Sequence, residues 1–481
     1  MKLGVFSQGI LGASTCVPAH SDRRGDSDQN RRARIYVVRP LAIGADDLIV
    51  RLLGLPAERG VCILDSCGVG AHGRNLLIAG VDPIEAVEIR EDTGSAIERL
   101  EDITGRPATA AVFTLSYELG LGLNGINPRS KLDQAFNEPL VTASLFDALL
   151  VHDYDSGITT VAGSRKRSAE LAGTISDAKP ETIEPASGAS TAVSNFTGPE
   201  YCDAVEAVRE LIRRGETYQT NLTQQITVLS ADRDAAKPTF AALRRDHPAQ
   251  FAAYLQRGDS TVVSASPELF FRVEGDTILA SPIKGTIRRG VSPAEDRMLR
   301  RALEESKKDR AENTMIVDLV RNDLGRVCDF GSVTVGRLCE IEEHPTLFHL
   351  VSDVSGQLRP GIGIGDIIRA LFPCGSITGA PKIRTMQIID QLETARRGLS
   401  MGAIGVSLPV GILGDKPLIE TSVAIRTATF HDGRAAFNVG GGITIDSDPE
   451  SEYEESWLKA KAILRGLGSK RTRTKAGNSP V

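Results

Sequence analysis

An α+β fold with large, mainly antiparallel β-sheets is what this sequence predicts. Strand-like runs arrive in consecutive groups, at 261–264, 269–273, 277–283, 332–336, 348–357, 403–410, 419–429 and 435–439. The helical patterns stand apart from them, where a βαβ winding demands regular alternation. With 481 residues, 41% of them hydrophobic, core burial is not limiting, and the length prior allows two or three domains.

In chain order, residues 1–34 are charged and lack an apolar period, which predicts a poorly ordered N-terminus. Residues 35–172 make an N-terminal part. Within it, Gly68-Val69-Gly70-Ala71-His72-Gly73 matches the GxGxxG pattern, but Gly80 and Pro83 break the following segment too soon for a phosphate-binding helix, so we read a glycine-rich turn. Residues 173–195, rich in Ala, Ser, Thr, Pro and Glu, read as a linker. Residues 196–466 read as a C-terminal part, where the candidate site residues fall, and 467–481 as a disordered tail.

The C-terminal part opens on Thr197-Gly198-Pro199-Glu200, a capping box with a first-turn proline, ahead of the apolar series Tyr201, Ala204, Val205, Val208, Leu211 and Ile212; Gly215 stops that helix. Ser292-Pro293-Ala294-Glu295 opens a second helix, and a third carries Asp309, Glu312, Ile316, Leu319 and Val320. The turn Glu274-Gly275-Asp276 suggests a hairpin that places Glu268 and Lys284 on neighbouring strands facing one pocket.

Asp309 and Glu312 share a helix face, as do Glu452 and Glu455 after the helix-starting Pro449. Alone, each pair reads as solvated surface. Across a cleft, adjacent carboxylates need a cation to stay ionised, and Mg²⁺ suits, because it takes one or two carboxylates and accepts an anionic ligand oxygen. Gly440, Gly441 and Gly442 offer unencumbered backbone N–H groups for a carboxylate. The segment Gly375-Ser376-Ile377-Thr378-Gly379-Ala380-Pro381-Lys382 adds hydroxyls and a cation, and Arg426 can fork onto a second carboxylate. Together these describe a dianion site with a metal. His349, in an apolar run, reads equally as a core histidine or a ligand contact.

Seven cysteines at 16, 62, 67, 202, 328, 339 and 374 lack the spacing of a zinc site or disulfide scaffold, and a reducing cytoplasm fits them. The N-terminus makes a poor signal peptide, and no apolar run approaches the roughly 20 residues of a membrane span. A net charge of -6 gives no reason to expect nucleic acid. The expectation is a cytoplasmic protein with a small anionic ligand and no membrane partner.

Seven blocks together resemble the chorismate-utilising enzymes: SPELFF from Ser266, PIKGT from Pro282, DRAENTMIVDLVRNDLGRV from Asp309, HLVSDVSGQL from His349, FPCGSITGAPK from Phe372, AIRT from Ala424 and FNVGGGITIDSDPESEYEE from Phe437. Leu64-Asp65-Ser66 and Ser116-Tyr117-Glu118-Leu119-Gly120 extend a weaker similarity into the N-terminal part. The resemblance implies two large sheets packed as a sandwich with helices outside, and chorismate with Mg²⁺ in a cleft. It implies Glu312 and Glu455 as metal ligands, with Asp309 and Glu452 shaping the site behind them. The glycine run would hold the ring carboxylate and Arg426 the enolpyruvyl carboxylate, with Gln219, Thr286, His349, Gly375, Ser376 and Lys382 as further substrate contacts.

By the same resemblance Glu268 protonates the departing 4-hydroxyl. Relatives that add water carry a lysine base where this chain has Gln219, which points to ammonia as the nucleophile. Lys284 resembles the lysine of members that aminate carbon 4, whereas anthranilate synthases typically carry alanine there. The implied activity is formation of 4-amino-4-deoxychorismate, on the way to p-aminobenzoate and folate, with Lys284 as covalent nucleophile. No amidotransferase nucleophile elbow surrounds Cys67 or Cys374, so the resemblance implies a separate glutamine amidotransferase subunit. Anthranilate synthesis and a non-catalytic chorismate-binding protein are the competing readings. Val406 departs from the tyrosine usual in relatives, which predicts a missing hydroxyl contact to the substrate, and Asp309 is shorter than the usual glutamate.

Overall fold

Alternating and near-continuous apolar runs close here into two large sheets, because each strand must bury at least one face. The computed structural model describes residues 37–70, 74–90, 92–129, 135–186, 191–229, 234–344 and 347–475, with backbone only from 470 onward. From Tyr36 the chain forms one compact unit.

The first sheet has 13 strands. Its spine runs from Val37–Leu41 through Cys62–Asp65, Phe251–Arg257, Ser260–Ser266, Thr427–His431 and Arg434–Ile443 to Gln219–Leu229. The second has nine strands and includes Thr277–Ser281, Leu269–Glu274, Leu418–Val423, Ala403–Leu408 and Ala110–Leu115. Both sheets draw on the N-terminal and C-terminal parts, joined through the Cys62–Asp65 to Phe251–Arg257 and the Ala110–Leu115 to Ala403–Leu408 pairings. The stretch 173–195 holds the end of helix Arg165–Asp177 and strand Thr191–Ser194. Residues 470–475, expected in a disordered tail, form a strand parallel to Thr191–Ser194. Residues 1–34 and positions 71–73 of the glycine-rich turn lie outside the described residues.

Three apolar clusters make the layers. Cys62, Ile78, Val112, Phe146, Leu255, Ile404 and Val406 fill the space between the two sheets. Helices Gly198–Arg213, Ala236–Asp246 and Pro449–Gly466 cover the outer face of the first sheet, with Tyr201, Phe240 and Trp457 in the packing. Helices Thr93–Thr104, Lys307–Gly325 and Ile364–Leu371 cover the second through Ile97, Ile316, Val320 and Ile368. Each fully buried large side chain is worth roughly 1.5–3 kcal/mol, so the sandwich is held by its layers more than by any single ion pair.

A third, three-stranded sheet joins Ile283–Arg288, Leu347–Val351 and Glu340–Glu343 over a small cluster of Leu303, Cys339, Phe348 and Leu350. The expected strands 277–283, 348–357 and 419–429 are each broken in two, at Pro282, Ser352-Asp353 and Ala424-Ile425-Arg426. Those breaks bring chemistry-bearing residues to one place.

Candidate active site

Lys284 does not share a hairpin with Glu268. Glu268 precedes strand Leu269–Glu274, whose hairpin partner ends at Ser281; Lys284 lies beyond Pro282, on the first strand of the small sheet. The pairing of Leu269 with Ser281 still sets the two side by side across the crossing. Glu268 is 4% exposed, and burial raises its pKa. Contacts from the Ser376 hydroxyl, the Lys284 charge and the Ile283 backbone oppose that rise. Its Oε1 has no hydrogen-bond partner among the described residues. The Lys284 ammonium donates to the Ser376 carbonyl at 3.2 Å and makes no ion pair among the described residues. A buried carboxyl biased toward its acid form thus lies beside an ammonium that makes no close ion pair among the described residues.

Gly285 fixes the lysine's direction. Its φ of +80° is the left-handed region, and a Cβ there meets Cβ and Cγ of Asp309 at 3.0 Å. One residue on, Thr286 pairs in register with His349, and its hydroxyl lies 2.8 Å from His349 Nδ1. Burial lowers the His349 pKa to about 3, with the charges of His344 and Arg426 adding to the effect.

Two helices bring the carboxylates together. Asp309 and Glu312 lie on Lys307–Gly325, with Ser306 capping the helix and donating to Asp309 Oδ2 at 2.5 Å. Glu452 and Glu455 lie on Pro449–Gly466, capped by Asp448. Burial raises Glu312, and the neighbouring Asp309 and Glu452 raise it further, against the pull of Lys284 and Lys308. Glu452, 8% exposed, is likewise raised by burial and by Glu455, while Ser447 donates to it at 2.7 Å. Glu455 is half-exposed; burial pushes its pKa up, but Lys459 at 2.9 Å, Lys308 and Lys284 carry it below the usual value. The charge of Lys284 therefore reaches Glu268, Glu312 and Glu455 alike, which joins the acid and both acidic helices in one cleft.

Lys308 and Lys459 were not singled out in the sequence. Each stands four residues from a carboxylate of the pair, Lys308 before Glu312 and Lys459 after Glu455, a spacing that was readable.

Among the described residues no three His, Cys, Asp or Glu side chains group closely enough to hold a metal ion by themselves. The donor chemistry nonetheless fits a hard cation: oxygen ligands only, and carboxylates whose mutual repulsion a cation relieves.

The glycine run corrects the sequence reading. Gly440, Gly441 and Gly442 form no loop nest; they lie inside strand Arg434–Ile443, paired with Thr223, Leu222 and Asn221. Each is glycine because something occupies the side-chain position. A Cβ meets the Leu222 carbonyl oxygen at 1.9 Å from Gly440, Glu452 Oε2 at 2.9 Å from Gly441, and Gln219 Nε2 at 2.0 Å from Gly442.

Lys382 is also placed differently. Its ammonium donates to Asp323 Oδ2 at 2.6 Å and to the Leu371 carbonyl at 2.7 Å, so it ties two helices together and is not a free cation for substrate. Gly375 and Ser376 form a buried turn beside Glu268. Val406 packs between the sheets and lines a separate pocket with Asp65, Ser66 and Gln250, three residues along its strand from the Ala403–Val423 pair that leads to Arg426.

Arg426 is the most telling side chain. It sits in the break between two strands at φ +50°, a strained position for a non-glycine residue, and its backbone carbonyl accepts from Ala265 N–H. Burial lowers its pKa, and its guanidinium has no carboxylate or carbonyl partner among the described residues. Its charge is felt by His349 and His247. A half-buried guanidinium without such a partner is placed to receive an anion.

This cleft lies within the region matched by the family model for chorismate binding enzyme, residues 72–465. The chain belongs to the chorismate binding enzymes. It is 35% identical over 425 residues to anthranilate synthase component 1 3 of Haloarcula marismortui, covering 81% of this chain and 82% of that one. To aminodeoxychorismate synthase component 1 of Bacillus subtilis it is 34% identical, covering 84% and 86%. An aminodeoxychorismate synthase of Streptomyces pristinaespiralis is 45% identical over 270 residues, and the match spans 36% of that protein's length. The fold is that of anthranilate synthase component I from Streptococcus pneumoniae, with a TM-score of 0.64 at 24% identity over 92% of this chain and 95% of that one.

Proposed function

We propose that this chorismate-binding chain is the synthase component of an aminodeoxychorismate synthase, converting chorismate and ammonia to 4-amino-4-deoxychorismate. Overall identity does not separate this from anthranilate synthesis, since relatives of both names match at 35% and 34%. One observation carries the choice: Lys284, held by the Ser376 carbonyl with no close ion pair among the described residues, beside the acid-biased Glu268. A positioning lysine sits on a counterion, whereas a nucleophile needs a free amine.

The chemistry follows from those two groups. As a neutral amine, Lys284 forms a bond from Nζ to ring carbon 2 while the double bonds shift, and the 4-hydroxyl leaves as water with the Glu268 proton. Ammonia then forms the C–N bond at carbon 4, the Nζ–carbon 2 bond breaks, and the amine is released neutral. The new ammonium returns one proton to the Glu268 carboxylate, which balances the cycle. Arg426 holds one substrate carboxylate. The other carboxylate is taken by the backbone of the glycine strand, which the resemblance names for it.

Mg²⁺ is part of the proposal, with Glu312 and Glu455 as ligands and Asp309 and Glu452 behind them. Bound there, the cation neutralises a substrate carboxylate that the acidic helices would otherwise repel. The partner that releases ammonia is a glutamine amidotransferase subunit, and we place the reaction in the cytoplasm. The test is to incubate the chain with chorismate, Mg²⁺ and ammonium and to identify the product by mass and chromatography. 4-Amino-4-deoxychorismate supports the reading; anthranilate with pyruvate favours the alternative.

A further inference from the structure

Ser376 touches both groups on which the proposed reaction depends. Its carbonyl accepts from the Lys284 ammonium at 3.2 Å, and its hydroxyl contacts Glu268. The position of the turn Gly375–Ile377 therefore bears on the lysine and the acid at once. The turn holds itself loosely. Ile377 N–H reaches the Cys374 carbonyl, and Thr378 N–H the Gly375 carbonyl, at 3.3 Å each, with one closer bond from the Thr378 hydroxyl to the Cys374 carbonyl at 3.0 Å. About 2.9–3.0 Å is usual for an N–H to oxygen bond.

The shortest bonds to the turn come from outside it. The Thr378 carbonyl accepts from Asn221 N–H at 2.8 Å, and the Ile377 carbonyl accepts from the Arg397 guanidinium at 2.8 Å. The other arm of that guanidinium donates to the Asn221 carbonyl and to Glu393 Oε1, both at 2.7 Å. Glu393 Oε1 also accepts from the N–H and hydroxyl of Thr223 at 2.7 and 2.9 Å. Arg397 thus pins the turn against strand Gln219–Leu229, and the Tyr117 ring lies 4.5 Å from its guanidinium carbon. The side chains of Arg397 and Glu393 are 1% and 4% exposed. A buried ion pair gains little net stability over an apolar pair of the same shape, so stability is a poor reason for this one. Geometry is a better reason: a planar fork serves two carbonyls and a carboxylate at fixed angles, which a lysine ammonium cannot do.

We propose that Arg397, held by Glu393, is a positioning residue for the reaction: by fixing the Ile377 carbonyl it sets the Ser376 carbonyl and hydroxyl that aim Lys284 and Glu268. This rests on the reading that Lys284 and Glu268 carry the chemistry.

The experiment compares Arg397→Lys with Arg257→Lys in the full chain. Arg257 and Glu138 make the matched control, an ion pair 5% and 9% exposed whose other hydrogen-bond partners are Thr114 and Thr429, away from the turn. Thermal melts, calorimetric chorismate affinity, and rate and product analysis with chorismate, Mg²⁺ and high ammonium are read for both. Arg397→Lys is expected to lower kcat about 100-fold with the chorismate Kd within about twofold of the parent, and to raise the share of product aminated at carbon 2. Arg257→Lys is expected to lower the melting temperature while keeping the parent's kcat and product share. A parent-like kcat in Arg397→Lys overturns the assignment. So does an equal fall in both variants, or a loss of chorismate binding in Arg397→Lys. If Arg397→Lys does not fold, Glu393→Gln, which keeps the arginine and loosens its hold, must raise the carbon 2 share, and a parent-like share overturns the assignment. A parent chain that makes no 4-amino-4-deoxychorismate refutes the underlying reading instead, before any variant is compared.

Discussion

Burial decides the chemistry of single residues here. Glu268 keeps its proton to higher pH than a free carboxyl because it is 4% exposed, so its acid role is lost as pH rises through that elevated pKa. Glu268→Gln is expected to lower ammonia-dependent turnover by ~10²–10⁴-fold with chorismate affinity retained, checked by steady-state rates and calorimetry. Lost binding with surviving turnover of bound substrate assigns Glu268 to binding instead. For the metal, Glu312→Gln and Glu455→Gln should each abolish turnover, because an amide is a poor ligand for a hard cation. Full activity of either variant in metal-stripped buffer refutes that assignment.

At the scale of elements, two glycines of unlike surroundings make opposite predictions. Gly440 sits where a Cβ meets the Leu222 carbonyl oxygen at 1.9 Å, and Gly173 lies on an exposed helix face with nothing within 4 Å. Gly440→Ala should lower folding stability by the roughly 1–3 kcal/mol of an overpacked site or more, while Gly173→Ala should raise it by roughly 0.5–1 kcal/mol, both read from thermal melts. His349 adds a pH signature. Its folded pKa of about 3 lies below the ordinary value of 6.5, so the unfolded chain binds more protons between those values. Stability is full above about pH 6.5 and falls as pH drops toward 3, a decline that His349→Asn should flatten in melts across that range.

The elements also show what the sequence could and could not tell. The capping box at Thr197 and Glu200 is observed in full, because its signal is local. At Ser292 only half of one forms: Ser292 accepts from Glu295 N–H, but the Glu295 carboxylate goes to Arg288 and Val291 N–H instead. The Glu268–Lys284 hairpin does not form for a related reason, since Pro282 separates strands of two sheets, and the Lys284 strand is placed by a partner, Leu347–Val351, far along the chain. Lys382 looked like a substrate cation until Asp323, 59 residues earlier, was found within 2.6 Å. Acid pairs at i, i+3 are legible because one helix face shows them; the lysines that balance them stand at i, i+4, the spacing of any solvated helix surface.

For the whole molecule, the two-sheet sandwich with outer helices matches the expectation, and both sheets run through the N-terminal and C-terminal parts. The small third sheet packs against the helix that carries Asp309 and Glu312, so Lys284 reaches the pocket from an element of its own. The account's central claim is that this lysine is a covalent partner. Lys284→Ala keeps Arg426, the carboxylates and the glycine strand in place, removes the positive charge that acts on Glu268, Glu312 and Glu455, and opens carbon 2 to ammonia. The measurement is product analysis of Lys284→Ala with chorismate, Mg²⁺ and high ammonium. We predict loss of most 4-amino-4-deoxychorismate and accumulation of some product aminated at carbon 2; formation of 4-amino-4-deoxychorismate at the parent rate contradicts the claim.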